Sequence, residues 1–340
     1  MKKTLLILLA VLLLGGAFTL YFLYRQVAKP NVKLSEKSRL VYLPPGADGQ
    51  TVYDSLAPYL LDSASFFWVA EKKSYLKQVK PGRYRIKDGW SNEQLIDHLR
   101  AGDQEPLNVV IHNVSNFTAL AELLGAKLAP PTERFARFFS TPDSLAQLAL
   151  DRQSRYQAVI PNTYEFYWTS PPETVLKKLQ KSAEKFWEEE AAALERSPLN
   201  RHEVVTLASI VQSETSRPDE MPQVAELYLN RLEQGIKLQS DPTVIYAVEK
   251  AHPELNIRRV LYRHLRFASP YNTYRHKGLP PGPIRLPGKE ALEAVLHPAE
   301  HDYIFMVADP EKPGYHLFAK TLKEHNQNRR RYIQWLNRQK

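Results

Sequence analysis

The stretch Leu207-Ala-Ser-Ile-Val-Gln-Ser-Glu-Thr215 decides how the chain is read. At about 3.6 residues per turn, Leu207, Ile210, Val211 and Glu214 fall on one stripe of a helix expected over residues 202–216. A carboxylate closing an apolar stripe sits either at the mouth of a cleft or in the core beside a partner, because burying an unpaired charge is costly. Loss of hydration disfavours the ionised form and lifts the pKa, which a general acid near neutral pH requires. The plainer reading is a Glu at a frayed helix end, satisfied by Arg217 or a backbone amide.

The surroundings favour the cleft. Downstream stand Asn230-Arg231-Leu232, Leu238-Gln-Ser-Asp-Pro-Thr-Val244, Tyr271-Asn-Thr-Tyr274, Gly278-Leu-Pro-Pro-Gly-Pro-Ile284 and His297-Pro298. In this order and spacing they resemble the endolytic murein transglycosylases, the MltG or YceG-like family. The resemblance runs from about Ser38 to the C-terminus and is dense between Glu203 and Asn326. It implies a lytic transglycosylase, a carbon–oxygen lyase that cuts the MurNAc–GlcNAc bond of peptidoglycan without consuming water. Most glycosidases use two carboxylates. Here one suffices, because the C6 hydroxyl of the sugar attacks C1 and leaves a 1,6-anhydro end. The family's catalytic Glu maps onto Glu214. Many relatives carry a second acid two positions earlier, where this chain has Gln212, so Glu214 is the only acid in that motif. Asn230, Gln239, Tyr271, Asn272 and Tyr274 are candidates for holding acetamido and hydroxyl groups. Asn272 is equally suited to bracing the proline-rich loop through backbone hydrogen bonds.

Asp241 is the other carboxylate inside a matched motif. The following Pro242 suggests a turn, with the Asp241 side chain capping the Thr243 or Val244 amide, or a hydrogen bond to sugar. As a second catalytic acid it would make the enzyme a muramidase hydrolase. A third alternative is a non-catalytic wall-binding scaffold that organises peptidoglycan synthases.

The compartment is read from the N-terminus. Residues 4–24 carry no charge, about the length that crosses a bilayer as a helix. Lys2 and Lys3 precede it, Arg25 and Lys29 follow, and no convincing small-x-small cleavage site stands after it. A retained single-pass anchor is expected, with a cytoplasmic N-terminus and the rest facing the wall from an inner membrane. The 340 residues hold 46 Lys and Arg against 37 Asp and Glu, a net +9 that suits a membrane surface or an anionic polymer. No nucleic-acid motif accompanies it, so no nucleic-acid partner is expected. The absence of cysteine excludes disulfides, thiolate metal sites and Cys nucleophiles. His297 and His301 have zinc-ligand spacing, but Pro298 interrupts and no His-Glu-x-x-His pattern exists, so no metal is expected. No phosphate loop or nucleophile elbow is present, and no cofactor is implied.

The expected fold class is α+β, with five parts: a cytoplasmic tip and transmembrane anchor (1–26), a polar tether (27–37), a small module (38–105), a connecting part (106–200) and a catalytic core with a basic C-terminal helix (201–340). In the module, strands at 40–43 and 82–86 alternate with helices at 51–61, 65–77 and 91–101. Ser91 and Gln94 form a capping box, Leu95, Ile96 and Leu99 face inward, and Gly102 ends the helix. By resemblance this module is LysM-like, with glycan binding or a spacer role implied. Further on, a strand is expected at 107–112 and helices at 116–126, 173–196, 222–234 and 290–296. The Glu188-Glu-Glu190 run reads as a solvated face. Val159-Ile-Pro-Asn-Thr-Tyr-Glu-Phe-Tyr167 resembles the family's stretch just before the catalytic core, and its aromatics read as core, with lining a sugar cleft as the alternative. Residues 235–242 read as an extended segment and turn. Residues 269–287 hold seven Pro or Gly in nineteen and form a stiff loop. Strands at 303–307 and 315–318 pair before a helix from Leu322. By resemblance the protein acts beside peptidoglycan synthases and limits the length of nascent strands.

Overall fold

The computed structural model describes residues 2–112 and 114–339. Met1, Asn113 and Lys340, which fall in the expected anchor, connecting part and terminal helix, lie outside the described residues. Helix α1 (Lys2–Leu23) opens the chain and runs into a π-helical turn at Tyr24–Ala28. The segment Lys3–Ala28 is long and apolar enough to cross a membrane as a single helix, and its apolar stretch is unburied. The chain then divides into two compact units. One comprises Met1–Val109, Lys127–Pro131 and Glu165–Pro171; the other comprises Val110–Ala126, Thr132–Tyr164 and Pro172–Lys340. The fold is mixed α and β.

The first unit contains β1 (Ser38–Leu43), α2 (Gly49–Leu56), α3 (Ser63–Lys72), β2 (Gly82–Lys87) and α4 (Asn92–Ala101). Strands β1 and β2 pair antiparallel, Ser38 opposite Lys87 and Leu43 opposite Gly82. Alternation aims Leu43, Tyr84 and Ile86 at Val52, Phe66, Leu95 and Leu99, all fully buried. The Ser91–Gln94 capping box is present, and Gly102 closes α4 at φ +79, a left-handed position that glycine adopts without strain. Two helices are shorter than expected. Helix α2 gives way to a 3₁₀ turn at Ala57–Tyr59, where Pro58 has no amide to donate. Helix α3 ends at Lys72, and Ser74 turns the chain at φ +54.

Residues 27–37, expected as a tether, are instead packed into this unit. Asn31, Val32 and Leu34 are buried. The Asn31 and Val32 amides both donate to Trp90 O, and the Asn31 side chain donates to Asp62 O and Asn92 Oδ1 while accepting from the Asp62 amide. Polar hydrogen bonds fix this segment, and apolar periodicity does not register them.

Strands β3 (Leu107–Val110) and β4 (Thr163–Phe166) lie where the chain passes between units. The second unit is helical: α5 (Phe117–Lys127), α6 (Thr132–Ser140), α7 (Pro142–Ala146), α8 (Pro172–Glu189), α9 (Ala191–Arg196), α10 (Arg201–Glu214), α11 (Met221–Glu233), α12 (Asp241–Ala251), α13 (Tyr262–Leu265) and α14 (Lys289–Leu296). A hairpin of β5 (Phe305–Ala308) and β6 (His316–Ala319) and helix α15 (Leu322–Arg338) close the chain. The single helix expected over 173–196 breaks at Glu190, whose carboxylate meets His297 Nε2 at 2.6 Å rather than lying on a solvated face. Helices α6 and α7, unforeseen in the sequence, bury Phe135, Phe139 and Leu145.

Helix α10 is the centre of this unit. An Asn200–Glu203 capping box starts it. Every residue from Val204 to Val211 is buried, against Val224, Ala225 and Tyr228 of α11 and Leu292 and Val295 of α14. Such all-round burial is possible because Thr206 and Ser209 turn their hydroxyls back onto His202 O and Thr206 O. The loop 269–287 forms neither helix nor strand and is pinned to α10. The Ile284 amide donates to Ser209 Oγ, and the Gly288 amide to Gln212 Oε1 at 2.6 Å. The turn expected over 235–242 is half right. Gly235 turns at φ +63, but Asp241 and Pro242 already belong to the first turn of α12, where proline's missing amide costs nothing.

Candidate active site

Glu214 is the last residue of α10. Beyond it Thr215 is extended, so the helix delivers this carboxylate at its end. The side chain is partly buried and lines a cavity of about 450 Å³. Tyr228 Oη donates to Glu214 Oε1 at 2.7 Å and Ser240 Oγ to the same oxygen at 2.5 Å. Oε2 has no protein hydrogen bond among the described residues. Among the described residues no cation pairs with Glu214. Arg217, the partner proposed by the plainer reading, lies over the Tyr315 ring.

Desolvation pushes the Glu214 pKa above the ordinary carboxylate range. The Ser240 and Tyr228 hydroxyls and the charge of His316 pull it down, and the Asp241 charge adds to the rise. Burial prevails. The carboxyl thus holds its proton further toward neutral pH, and after giving it up it remains a carboxylate steadied by two hydroxyls.

Three elements position those hydroxyls. Tyr228 lies on the buried face of α11, fixed by the packing of α11 on α10. Ser240 precedes α12. Its amide donates to Thr273 Oγ1, and its carbonyl accepts from Thr243 Oγ1, which is 2.8 Å from Thr273 Oγ1. Next to it, Gln239 takes φ +52, a left-handed conformation that costs a non-glycine residue about 1 kcal/mol or more. The Gln239 amide donates to Thr273 O, so the strained turn is tied to the loop on both sides of the residue that holds Glu214.

Gln239, Asp241 and Tyr274 line the same cavity as Glu214. Asp241 does not cap Thr243 or Val244. The Thr243 amide goes to Ser240 O, and the Asp241 carboxylate accepts the Tyr274 hydroxyl at 2.6 Å. Burial first, and then Asp241, raise the Tyr274 pKa, keeping it a donor. The other three sequence candidates lie elsewhere. Asn230 gives its amide to His301 O and Tyr303 O, which anchors the chain entering β5. Asn272 is fully buried and donates to Leu265 O and Phe267 O, the loop-bracing role. Tyr271 packs on Tyr246 with ring centroids 4.9 Å apart. Gln212 points away from the cavity, to the start of α14. His297 and His301 turn to different partners, Glu190 and Gln223 O.

Several cavity residues were not singled out in the sequence, although Arg231 and Ser240 stand inside the matched motifs. Tyr228 reads as one more inward-facing residue, and Ser240 as turn chemistry. Arg231 is nearly buried, and its guanidinium donates to Ile304 O, Lys237 O and Leu238 O at 2.6–2.9 Å, making it the rivet of the cavity floor. His316 on β6 also lines the cavity. Its Nδ1 is 3.1 Å from Glu220 Oε2, and its amide donates to Glu220 Oε1. Burial pushes the Glu220 carboxyl up, but hydrogen bonds from His316 and Thr215 outweigh it and hold it below the ordinary range.

The chain is similar to known proteins over most of its length. The endolytic murein transglycosylase of Bacillus subtilis (strain 168) is 28% identical over 343 residues, spanning 95% of this chain and 91% of that protein. The endolytic murein transglycosylase of Streptococcus pneumoniae (strain D39) is 25% identical over 354 residues, and there the chain spans 63% of the relative's length. The crystal structure of a YceG-like protein from Listeria monocytogenes superposes with a TM-score of 0.57 at 23% identity, covering 86% of this chain and 99% of that one, so the fold is shared. A profile of the YceG-like family matches residues 41–331, and the chain belongs to that family.

Proposed function

We propose that this protein is a membrane-anchored lytic transglycosylase that cuts the MurNAc–GlcNAc bond within peptidoglycan strands, leaving 1,6-anhydroMurNAc ends. One observation carries the reading: a cavity-lining carboxylate with a raised pKa, unpaired by any cation among the described residues, is held through Oε1 by two hydroxyls with no hydrogen bond to Oε2. Glu214 Oε2 protonates the glycosidic oxygen as the bond to C1 breaks. The carboxylate then takes the proton of the C6 hydroxyl, whose oxygen closes on C1. The Tyr228 and Ser240 hydroxyls strengthen their bonds to Oε1 as its charge develops, which steadies the intermediate state. Gln239 and Tyr274 hold the sugar's polar groups from the cavity wall.

The relatives' name, endolytic murein transglycosylase, supports the same substrate and mode of cutting. The apolar helix Lys3–Ala28 supports a single-pass anchor with the residues that follow it on the wall side. On this reading residues 38–105 are a LysM-like module, and the enzyme works beside peptidoglycan synthases to limit strand length. A second reading rests on Asp241, which lines the same cavity. As base or nucleophile it would make the enzyme a muramidase hydrolase. The test is to compare the ends made by the wild type and Asp241→Asn. Anhydro ends from both support the transglycosylase, and reducing ends that vanish with Asp241→Asn establish the hydrolase.

A further inference from the structure

A second cavity, of about 530 Å³, lies on the other side of the wall that carries Glu214. The wall is made by the end of α10 and the start of α12. Neighbouring residues on a helix point about 100° apart, so Glu214 and Asp241 face the first cavity while Ser213 and Pro242 face the second. The second cavity is floored by Ile284 and Arg285 of the pinned loop and flanked by Tyr246 and Lys250 of α12.

Arg285 stands out here. It is half-buried, its Nε is enclosed without a partner, and it makes no hydrogen bond or ion pair among the described residues. Its pKa is lowered by burial alone, so no acid compensates the charge. A guanidinium partly withdrawn from water with its Nε left unmatched carries a cost that an entering anion would offset. Lys250 brings a second cation to the rim, its Nζ 4.5 Å from the Tyr271 ring centroid and 5.4 Å from that of Tyr246. The acid on the same rim, Glu249, spends its Oε1 on the Ile257 amide. The cavity therefore presents two cations, the Tyr246 ring and the aliphatic side chains of Ile245 and Ile284 to whatever enters it.

We propose that this cavity is a substrate subsite that binds the carboxylate of a peptide stem borne by the glycan strand. The proposal rests on the transglycosylase reading and adds to it a recognition element beyond the sugars. Two arguments support it. A polymer cut internally must be held on both sides of the broken bond, and this cavity adjoins the reacting carboxylate through adjacent residues. The strand's sugars carry neutral acetamido and hydroxyl groups, whereas its peptide stems end in carboxylates, which a guanidinium fork matches bidentately. Tyr246 then packs against the stem's aliphatic atoms.

The test is calorimetric titration of the full-length chain in detergent, wild type and Arg285→Gln. The titrants are a disaccharide–tetrapeptide fragment, the same disaccharide without peptide and with its lactyl carboxyl capped as the methylamide, and the free acetylated peptide. The expected result is roughly tenfold weaker binding of the peptide-bearing fragment by the variant, with binding of the bare disaccharide unchanged. Because Arg285 has no partner to lose, the melting midpoint of the variant should hold or rise. Equal losses for both fragments, no loss for either, or free peptide binding as tightly as the fragment would overturn the proposal. Strand cleavage is measured separately. Cleavage without an Arg285 effect on binding refutes the subsite alone, and an Arg285 effect on binding without cleavage refutes the transglycosylase reading alone.

Discussion

Tyr228→Phe isolates one hydroxyl of the Glu214 cradle. Tyr228 is nearly fully buried, and its ring packs in the core of the second unit, so the exchange removes one oxygen and keeps the packing. What is lost is the 2.7 Å bond to Glu214 Oε1. A hydrogen bond to a charged group contributes about 1.5–3 kcal/mol, and one between neutral groups about 1 kcal/mol. The differential between ionised and protonated Glu214 is therefore about 1 kcal/mol, or about 0.7 of a pH unit at 1.36 kcal/mol per unit. The sign follows from which form the hydroxyl favours. It stabilises the carboxylate, so removing it makes Glu214 harder to ionise and moves its titration upward. Glu214 must start protonated, so kcat/KM falls as pH rises through that titration. In Tyr228→Phe this alkaline limb moves up by about half to one unit, and kcat drops because the carboxylate formed in the first step is less steadied. Ser240→Ala, which removes the 2.5 Å bond, moves the limb the same way. The assay is the pH dependence of kcat/KM on purified strands. A limb that stays in place, or moves down, refutes the role given to Oε1.

Two further outcomes follow from the cavity walls. Arg231→Lys cannot reproduce the guanidinium's bonds to Ile304 O, Lys237 O and Leu238 O, so chemical denaturation should show a loss of about 2–4 kcal/mol even though the charge is kept. Glu220 has a depressed pKa, so its contribution is fully present above its unfolded value of 4.5 and is lost as pH falls through the lower folded value; Glu220→Gln should flatten the stability–pH curve below about 4.5 and leave its slope at neutral pH unchanged.

The sequence carried the position of Glu214 well, because a helix with 3.6 residues per turn and an apolar stripe ending in a carboxylate leaves little choice about where the charge sits. It carried the α4 capping box and the Gly102 stop for a similar reason: each is a local pattern with a local physical cause. What holds Glu214 was not legible. Tyr228 is 14 residues away and Ser240 is 26, and their meeting depends on how α11 and α12 pack on α10. Asp241-Pro242 reads as a turn because the same pair suits a turn and the first turn of a helix; only the helical residues that follow separate the two. The segment around Asn31 was missed because it is secured by side-chain amides, which hydropathy scores as solvent-facing. Asn230 and Asn272 belong to motif stretches near the site, yet both spend their amides on backbone carbonyls. Motif membership located the neighbourhood, and hydrogen-bond accounting separated the cavity wall from its scaffolding.

The most direct test of the central claim is to let the full-length protein digest strands in oxygen-18 water, beside Glu214→Gln, and to weigh the new ends. A lone acid that later serves as base predicts ends one water lighter than reducing ends, with no heavy oxygen incorporated and no cleavage by Glu214→Gln. Heavy oxygen in reducing ends, or anhydro ends still formed by Glu214→Gln, would contradict it.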